Sequence, residues 1–244
     1  MASPNILAND APVTEGRSLW YHARRRLLKN RAALLSMIIL LVLAAAALIV
    51  PWLHPHPFDE VYWDYMMSPP DLANHFYFGT DSNGRDLFVR TLYGIRVSLL
   101  VGLSATAVSL LIGVLYGAVS GYIGGRTDHL MMRFVDILYA MPFMFFVILL
   151  MVYFGRNIFL IFVALGAVEW LTMARIVRGQ TLSIKGKEFI AAAEAIGVGS
   201  GAIIRRHIIP NTLGPVIVYV TLTIPQVILV ESFLSFLGLG VQEP

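Results

Sequence analysis

The chain has 244 residues, of which 57% are hydrophobic and 14% charged, with a formal net charge of +3 and no cysteine. Ordinary soluble domains hold about 45–50% apolar and about 25% charged residues, so this balance places the chain in a membrane. The lack of cysteine excludes a disulfide framework, thiol chemistry and a Cys-based metal site.

Residues 1–31 read as a cytoplasmic tail followed by an interfacial helix. The first 16 are polar and without periodicity. From Ser18 to Arg31, Trp20 and Tyr21 accompany Arg24, Arg25, Arg26, Lys29 and Arg31, which suits aromatic rings at headgroup level and cations against anionic lipid. Residues 32–53 are the first span, Ala32 to Leu53. A charged start before an apolar core also describes a signal peptide, but this core runs about twenty residues and ends in Pro51-Trp52 without a small-residue cleavage site. Residues 54–96 read as a periplasmic loop, acidic at Asp59, Glu60, Asp64, Asp71, Asp81 and Asp86. His54 and His56, set among Pro51, Pro55 and Pro57, read as solvated instead of metal-ligating, and no metal site is expected.

Residues 97–244 follow as the transmembrane core. Its first helix, about Val97 to Tyr122, carries Ala105, Ser109, Gly113, Gly117 and Gly121 at every fourth position, a ridge that lets another helix approach closely. A short loop, Gly124 to Asp128, leads to a third span from Met131 to Phe154 that Pro142 should kink. The fourth span is about Asn157 to Ala174, and the fifth about Leu213 to Leu237, with Pro215 and Pro225 inside. With the N-terminus inside, 14 of the 18 basic residues fall on inner segments, and only Arg85, Arg90, Arg96 and Arg156 lie outside. That asymmetry obeys the positive-inside rule.

Between the fourth and fifth spans lies the one long polar-edged segment, residues 186–211, which the topology places on the cytoplasmic face. Phe189, Ile190, Ala193 and Ile196 make an apolar stripe on a short helix, and Gly197 suits a left-handed C-terminal cap. A second helix starts with Ser200 as N-cap, with Ile203, Ile204, His207 and Ile208 on one side and Arg205 and Arg206 on the other, and Pro210 should stop it. Such a helical elbow is shaped for a protein partner at the membrane surface.

Catalytic patterns are missing. The sequence contains no P-loop, no zinc-protease motif and no nucleophile elbow, and Gly197, Gly199 and Gly201 follow a helix where a nucleotide fingerprint would follow a strand. Ionisable residues at membrane depth must face protein or water. Asp136 should pair with Arg133 one turn away. Glu169 divides between helix packing and a transport pathway, and Glu231, followed by Ser232 and Ser235, is the best candidate for the pathway lining. Arg175 with Arg178, and Arg205 with Arg206, suit lipid phosphate or acidic groups on a partner, or plain solvated anchoring.

Two separated stretches resemble permease subunits of ABC importers. In that family the loop before the fifth helix reads Glu-Ala-Ala, three residues, Gly, nine residues, Ile-x-Leu-Pro. This chain matches at Ala192, Ala193, Gly197 and Pro210, and departs at Ala191, His207 and Ile209, with Glu194 one turn on from the missing acid. The block from Gly79 through Thr80, Asp81, Gly84, Arg85, Asp86, Arg90, Gly94 and Arg96 to Ser98 is similar to the one before the second helix in oligopeptide and dipeptide permeases. The closing segment from Glu231 to Pro244 resembles the C-type subunits of the oligopeptide permeases most closely.

The resemblance implies an all-α, polytopic bundle with a sixth helix beyond the five visible, absent from this sequence. It implies that the 186–211 loop is the coupling helix, through Phe189, Ala192, Ala193, Glu194, Gly197, Arg205, Arg206, His207 and Pro210. Implied partners are a homologous second permease subunit, two cytoplasmic ATPase subunits that bind the ATP and Mg, a periplasmic peptide-binding protein and the bacterial inner-membrane bilayer. No nucleic acid, no cofactor and no enzymatic activity of its own are expected. Dipeptide or nickel permeases share both patterns; a proton-coupled secondary transporter using Glu169 or Glu231 is the reading from another class, and a lipid-anchored scaffold without transport is a third.

Overall fold

The computed structural model describes residue 25, residues 27–154 and residues 158–238. Most of the interfacial segment 18–31, Arg156, Asn157 and the chain after Gly238 fall outside the described residues. Among those described, α1 spans Arg31–Leu53, α2 Leu87–Ile123, α3 Gly125–Ala140, α4 Phe143–Phe154, α5 Ile158–Lys185, α6 Glu188–Ala195, α7 Ser200–Ile203 and α8 Ile209–Phe236. No strand forms among them, and only two isolated antiparallel bridges occur, Asp71 with Phe76 and Thr80 with Asp86.

Capping explains where the helices begin. Asn30 accepts the amide of Ala33 at 3.2 Å to start α1, and Asp86 Oδ1 accepts those of Phe88 and Val89 to start α2. Because Asp86 caps the helix well before the apolar run, α2 begins at Leu87 instead of Val97 and stretches to 37 residues. The helices α1 and α2, and the continuous stretch Ser200–Phe236, are each long and apolar enough to cross a bilayer. α1 exposes Leu35, Leu40, Leu41 and Val42 by 60% or more, a surface matched to lipid tails.

The core is the seam between α2 and α5, joined by α8. Without hydrocarbon-against-water contrast, membrane helices gain most from close backbone approach. The predicted ridge supplies it. A Cβ added at Gly113 would stand 2.6 Å from Met173 Cβ, and one at Gly121 2.8 Å from Thr181 Cβ, while at Gly117 it would press on the Ala174 carbonyl. Ala105 and Ser109 continue the ridge, both fully buried.

Two prolines behave differently. Pro142 does more than kink a span: it separates α3 from α4 at Met141, whose backbone is extended, as the residue before a proline prefers. Pro210, expected to stop a helix, does not. The chain passes from α7 through a π-helical turn, Ile204–Ile208, directly into α8, with Pro210 in the first turn of α8. A wider turn re-registers the backbone just where proline offers no N–H, and a first-turn proline costs little. Side chains of the proline-containing α8 bond to backbone carbonyls, Asn211 to that of His207 in the π turn at 2.6 Å and Thr221 to that of Val218 at 2.7 Å.

Candidate functional site: the elbow and the membrane cavity

The elbow is built from the C-terminal end of α5, α6, α7 and the π turn. Ile190 and Ala193 of α6 join Ile203 and Ile208 in one buried cluster with Ala118, Tyr122, Met173, Val177 and Val216, so the elbow is bolted to the ends of three long helices. Gly197 ends α6 at φ +80°, its N–H bonding the Glu194 carbonyl while that of Val198 bonds the Ala193 carbonyl, both at 3.0 Å. This is the paired closure that a left-handed residue permits. Ser200 is not the N-cap of the next helix: that position belongs to Gly199, and the Ser200 side chain makes no capping bond.

The predicted stripe divides. Ile190 and Ala193 point inward, whereas Phe189 is 45% and Ile196 81% exposed. At about 100° per residue Phe189 and Ile190 lie on different sides of α6, and Ile196 falls past its last helical residue, so only Ile190 and Ala193 turn inward. The elbow therefore shows a second apolar face, Phe189, Ala192 and Ile196, beside exposed Arg205 and Arg206. The Phe189 and His207 rings lie 6.4 Å apart.

Polar bonds fix the elbow's base. Tyr122 donates its hydroxyl to Glu194 Oε1 at 2.9 Å, and Lys185 Nζ donates to the Tyr122 carbonyl at 2.6 Å. Glu194 is thus a tether to α2. Beside it Asp128 receives Arg178 in a two-pronged pair, Nε to Oδ1 at 2.6 Å and Nη2 to Oδ2 at 2.5 Å, and the Ser120 hydroxyl at 2.5 Å. Arg178, more than the Ser120 bond, holds the Asp128 carboxyl below the usual carboxylate range against the opposing effect of burial. Asp136 pairs with Arg175 at 2.8 Å and not with Arg133, because Arg175 is also held over the Tyr139 ring, 4.2 Å from its centroid. Arg175 and Arg178 are accordingly engaged within the chain. Asp128 and Tyr122 escaped the sequence reading, since their partners lie 50 and 72 residues away.

Residues of α3, α4, α5 and α8 line an open cavity of about 580 Å³, among them Tyr139, Phe146, Glu169, Trp170, Tyr219 and Gln226. Glu169 reaches it with the Tyr219 hydroxyl donating at 3.2 Å. Glu231 and Ser235 lie elsewhere. Glu231 is 5% exposed and accepts from Ser98 at 3.2 Å and Ser235 at 2.8 Å, clasping α8 to α2.

One expectation about the outer loop is corrected. The side chains of His54 and His56 are 5% and 14% exposed, not solvated, because Phe76, Tyr62, Tyr77 and Phe88 pack around both rings. Both face Asp86, and the donor atoms of the three residues lie within 4.8 Å of one another.

Long apolar helices, an elbow rooted in their ends and an open cavity between them fit a multi-pass membrane component of the transporter class. Residues 89–242 match the family described as binding-protein-dependent transport system inner membrane component, and residues 18–70 match the N-terminal TM domain of oligopeptide transport permease C. The chain is 56% identical to the oligopeptide transport system permease protein OppC of Haemophilus influenzae, over 94% of this chain and 74% of that one. It is 57% identical to OppC of Escherichia coli K12 over 94% and 76%, and 50% identical to the dipeptide transport system permease protein DppC of Bacillus subtilis over 81% and 61%. The chain belongs to the family of binding-protein-dependent transport system inner membrane components, with the C-type oligopeptide permeases as its near relatives. It is a channel component of an ABC importer and not an enzyme, and it resides in the inner membrane.

Proposed function

We propose that the chain lines the pore of an ATP-driven oligopeptide importer and that its elbow transmits the power stroke. The carrying observation is the two-sided elbow. Ile190, Ala193, Ile203 and Ile208 lock one side to α2, α5 and α8, while Phe189 and Ile196 offer an apolar outer side flanked by Arg205 and Arg206. A rigid lever needs this pairing of a fixed root and a free grip.

In this reading the N-terminus is cytoplasmic, and one of two cytoplasmic ATPase subunits that bind ATP and Mg seats on the elbow. A homologous second permease subunit pairs with this one to form the pore, and a periplasmic peptide-binding protein delivers cargo. When the ATPases close, the elbow moves, and α5 and α8 carry the motion past the cavity to alternate its access. Glu169, with Tyr139, Trp170, Tyr219 and Gln226, supplies a wall of aromatic and polar groups suited to peptides of varied side chains. Glu231 and Ser235 hold that wall in place from the α2 seam.

The experiment is uptake into proteoliposomes containing the assembled complex. Uptake of a labelled oligopeptide with ATP and binding protein, and none with a pH gradient alone, is the expected result. Uptake driven by the gradient without ATP would overturn the reading in favour of proton coupling.

A further inference from the structure

We propose that His54, His56 and Asp86 form a binding site for one divalent cation of the zinc type, joining the end of α1 to the start of α2. The inference rests on the loop's own geometry and stands apart from the proposed transport mechanism.

The three side chains come from opposite ends of the loop, His54 as the C-cap of α1 and Asp86 as the N-cap of α2. Asp86 is fully buried. Its Oδ1 takes the amides of Phe88 and Val89, which fixes the carboxylate and leaves Oδ2 turned toward the histidines. His56 Nδ1 stands 3.3 Å and His54 Nδ1 3.7 Å from Oδ2. Bonds of about 2.0–2.2 Å at tetrahedral angles put neighbouring zinc ligands about 3.4 Å apart, so both separations already have the length of a coordination edge.

The chemistry of the donors points the same way. The His56 backbone N–H donates to His54 Nδ1 at 3.3 Å, so that ring carries its proton on Nε2, and its one Nδ1 lone pair is held by a long bond that a cation would replace. His56 Nδ1 and Asp86 Oδ2 already stand at hydrogen-bond distance out of water, and a cation bound there would take the place of the proton between them. Nε2 of the same ring is buried without a hydrogen-bond partner, so the polar ring gains nothing from that side. Phe76, 4.3 Å from the His56 ring, and Tyr77 and Phe88, 5.6 and 5.8 Å from that of His54, hold both rings in place. Two imidazoles and one carboxylate, without a thiolate, are a set that zinc takes, with a fourth position left for water.

The test is metal analysis of the purified full chain in nanodiscs, stripped with chelator, exposed to Zn²⁺ and freed of excess by gel filtration. The expected result is one zinc per chain, retained when His75, His129 and His207 are all changed to Gln and lost in the His54→Gln/His56→Gln double variant. Asp86→Asn keeps a good helix cap and removes only the charge, so it should bind roughly tenfold or more weakly while circular dichroism stays unchanged. Zinc at background in the natural chain, or full zinc in the double variant, would overturn the proposal.

Discussion

At the scale of single residues, glycine does two separate jobs in this chain. On α2 it removes bulk. Gly113→Ala would set a methyl 2.6 Å from Met173 Cβ and 2.9 Å from the Trp170 carbonyl, neither of which is the loose end of a side chain. Overpacking of this kind costs about 1–3 kcal/mol, and a lower melting temperature in detergent should show it, while Gly94→Ala, with open space around it, should be close to neutral. At Gly197 the need is conformational, since φ is +80° and a Cβ would meet nothing within 4 Å. A side chain there costs about 1–2 kcal/mol in the backbone alone. Gly197→Val should therefore leave the membrane core folded and let ATP hydrolysis proceed with reduced uptake, and normal transport by that variant would count against the lever. Both glycine roles were legible in sequence, one from the every-fourth-residue spacing and one from a glycine just past a helical run. The Asp128–Arg178 and Tyr122–Glu194 contacts were not, because no local period links residues on different helices.

Among the elements, what the sequence could not convey was continuity. An apolar run marks where a helix meets lipid, not where it ends, so α2 and α5 both extend beyond their predicted spans. A cap such as Asp86 and a basic last turn such as Lys185 decide the true ends. Proline was equally ambiguous. Pro142 breaks a helix and Pro210 is absorbed by a π turn, a distinction that depends on packing around Ile203 and Ile208 and not on the proline itself. The short helix α6 has little stability of its own at eight residues and depends on its buried side chains. Ile190→Ala removes a fully buried side chain from that root, a loss of about 2–5 kcal/mol where the cavity cannot collapse. The expected outcome is local: protease cuts within 186–199 on a timescale where the remaining helices stay intact. Uniform destabilisation of the whole chain would show that the elbow is not a separate cooperative unit.

For the whole molecule, composition alone was enough to place the chain in a membrane. The wall of the cavity was harder to read. The sequence favoured Glu231 over Glu169 for the pathway lining, yet Glu169 opens on the cavity with Tyr219 and Glu231 closes the α2–α8 seam with Ser98 and Ser235. Which side a helix turns to its neighbours follows from the glycine ridge that brings α2 onto α5, and that packing is invisible to hydropathy.

A cytoplasmic grip on the elbow is the claim everything else depends on, and the absence of native cysteine allows a clean test of it. Ile196→Cys puts a single thiol on the 81% exposed outer side, and Trp63→Cys puts one on the 74% exposed outer loop. In the assembled complex, a short thiol cross-linker should join position 196 to an ATPase subunit and leave position 63 unjoined. A position 196 that joins no ATPase, or that reacts with a membrane-impermeant reagent from the periplasmic side, would contradict the account.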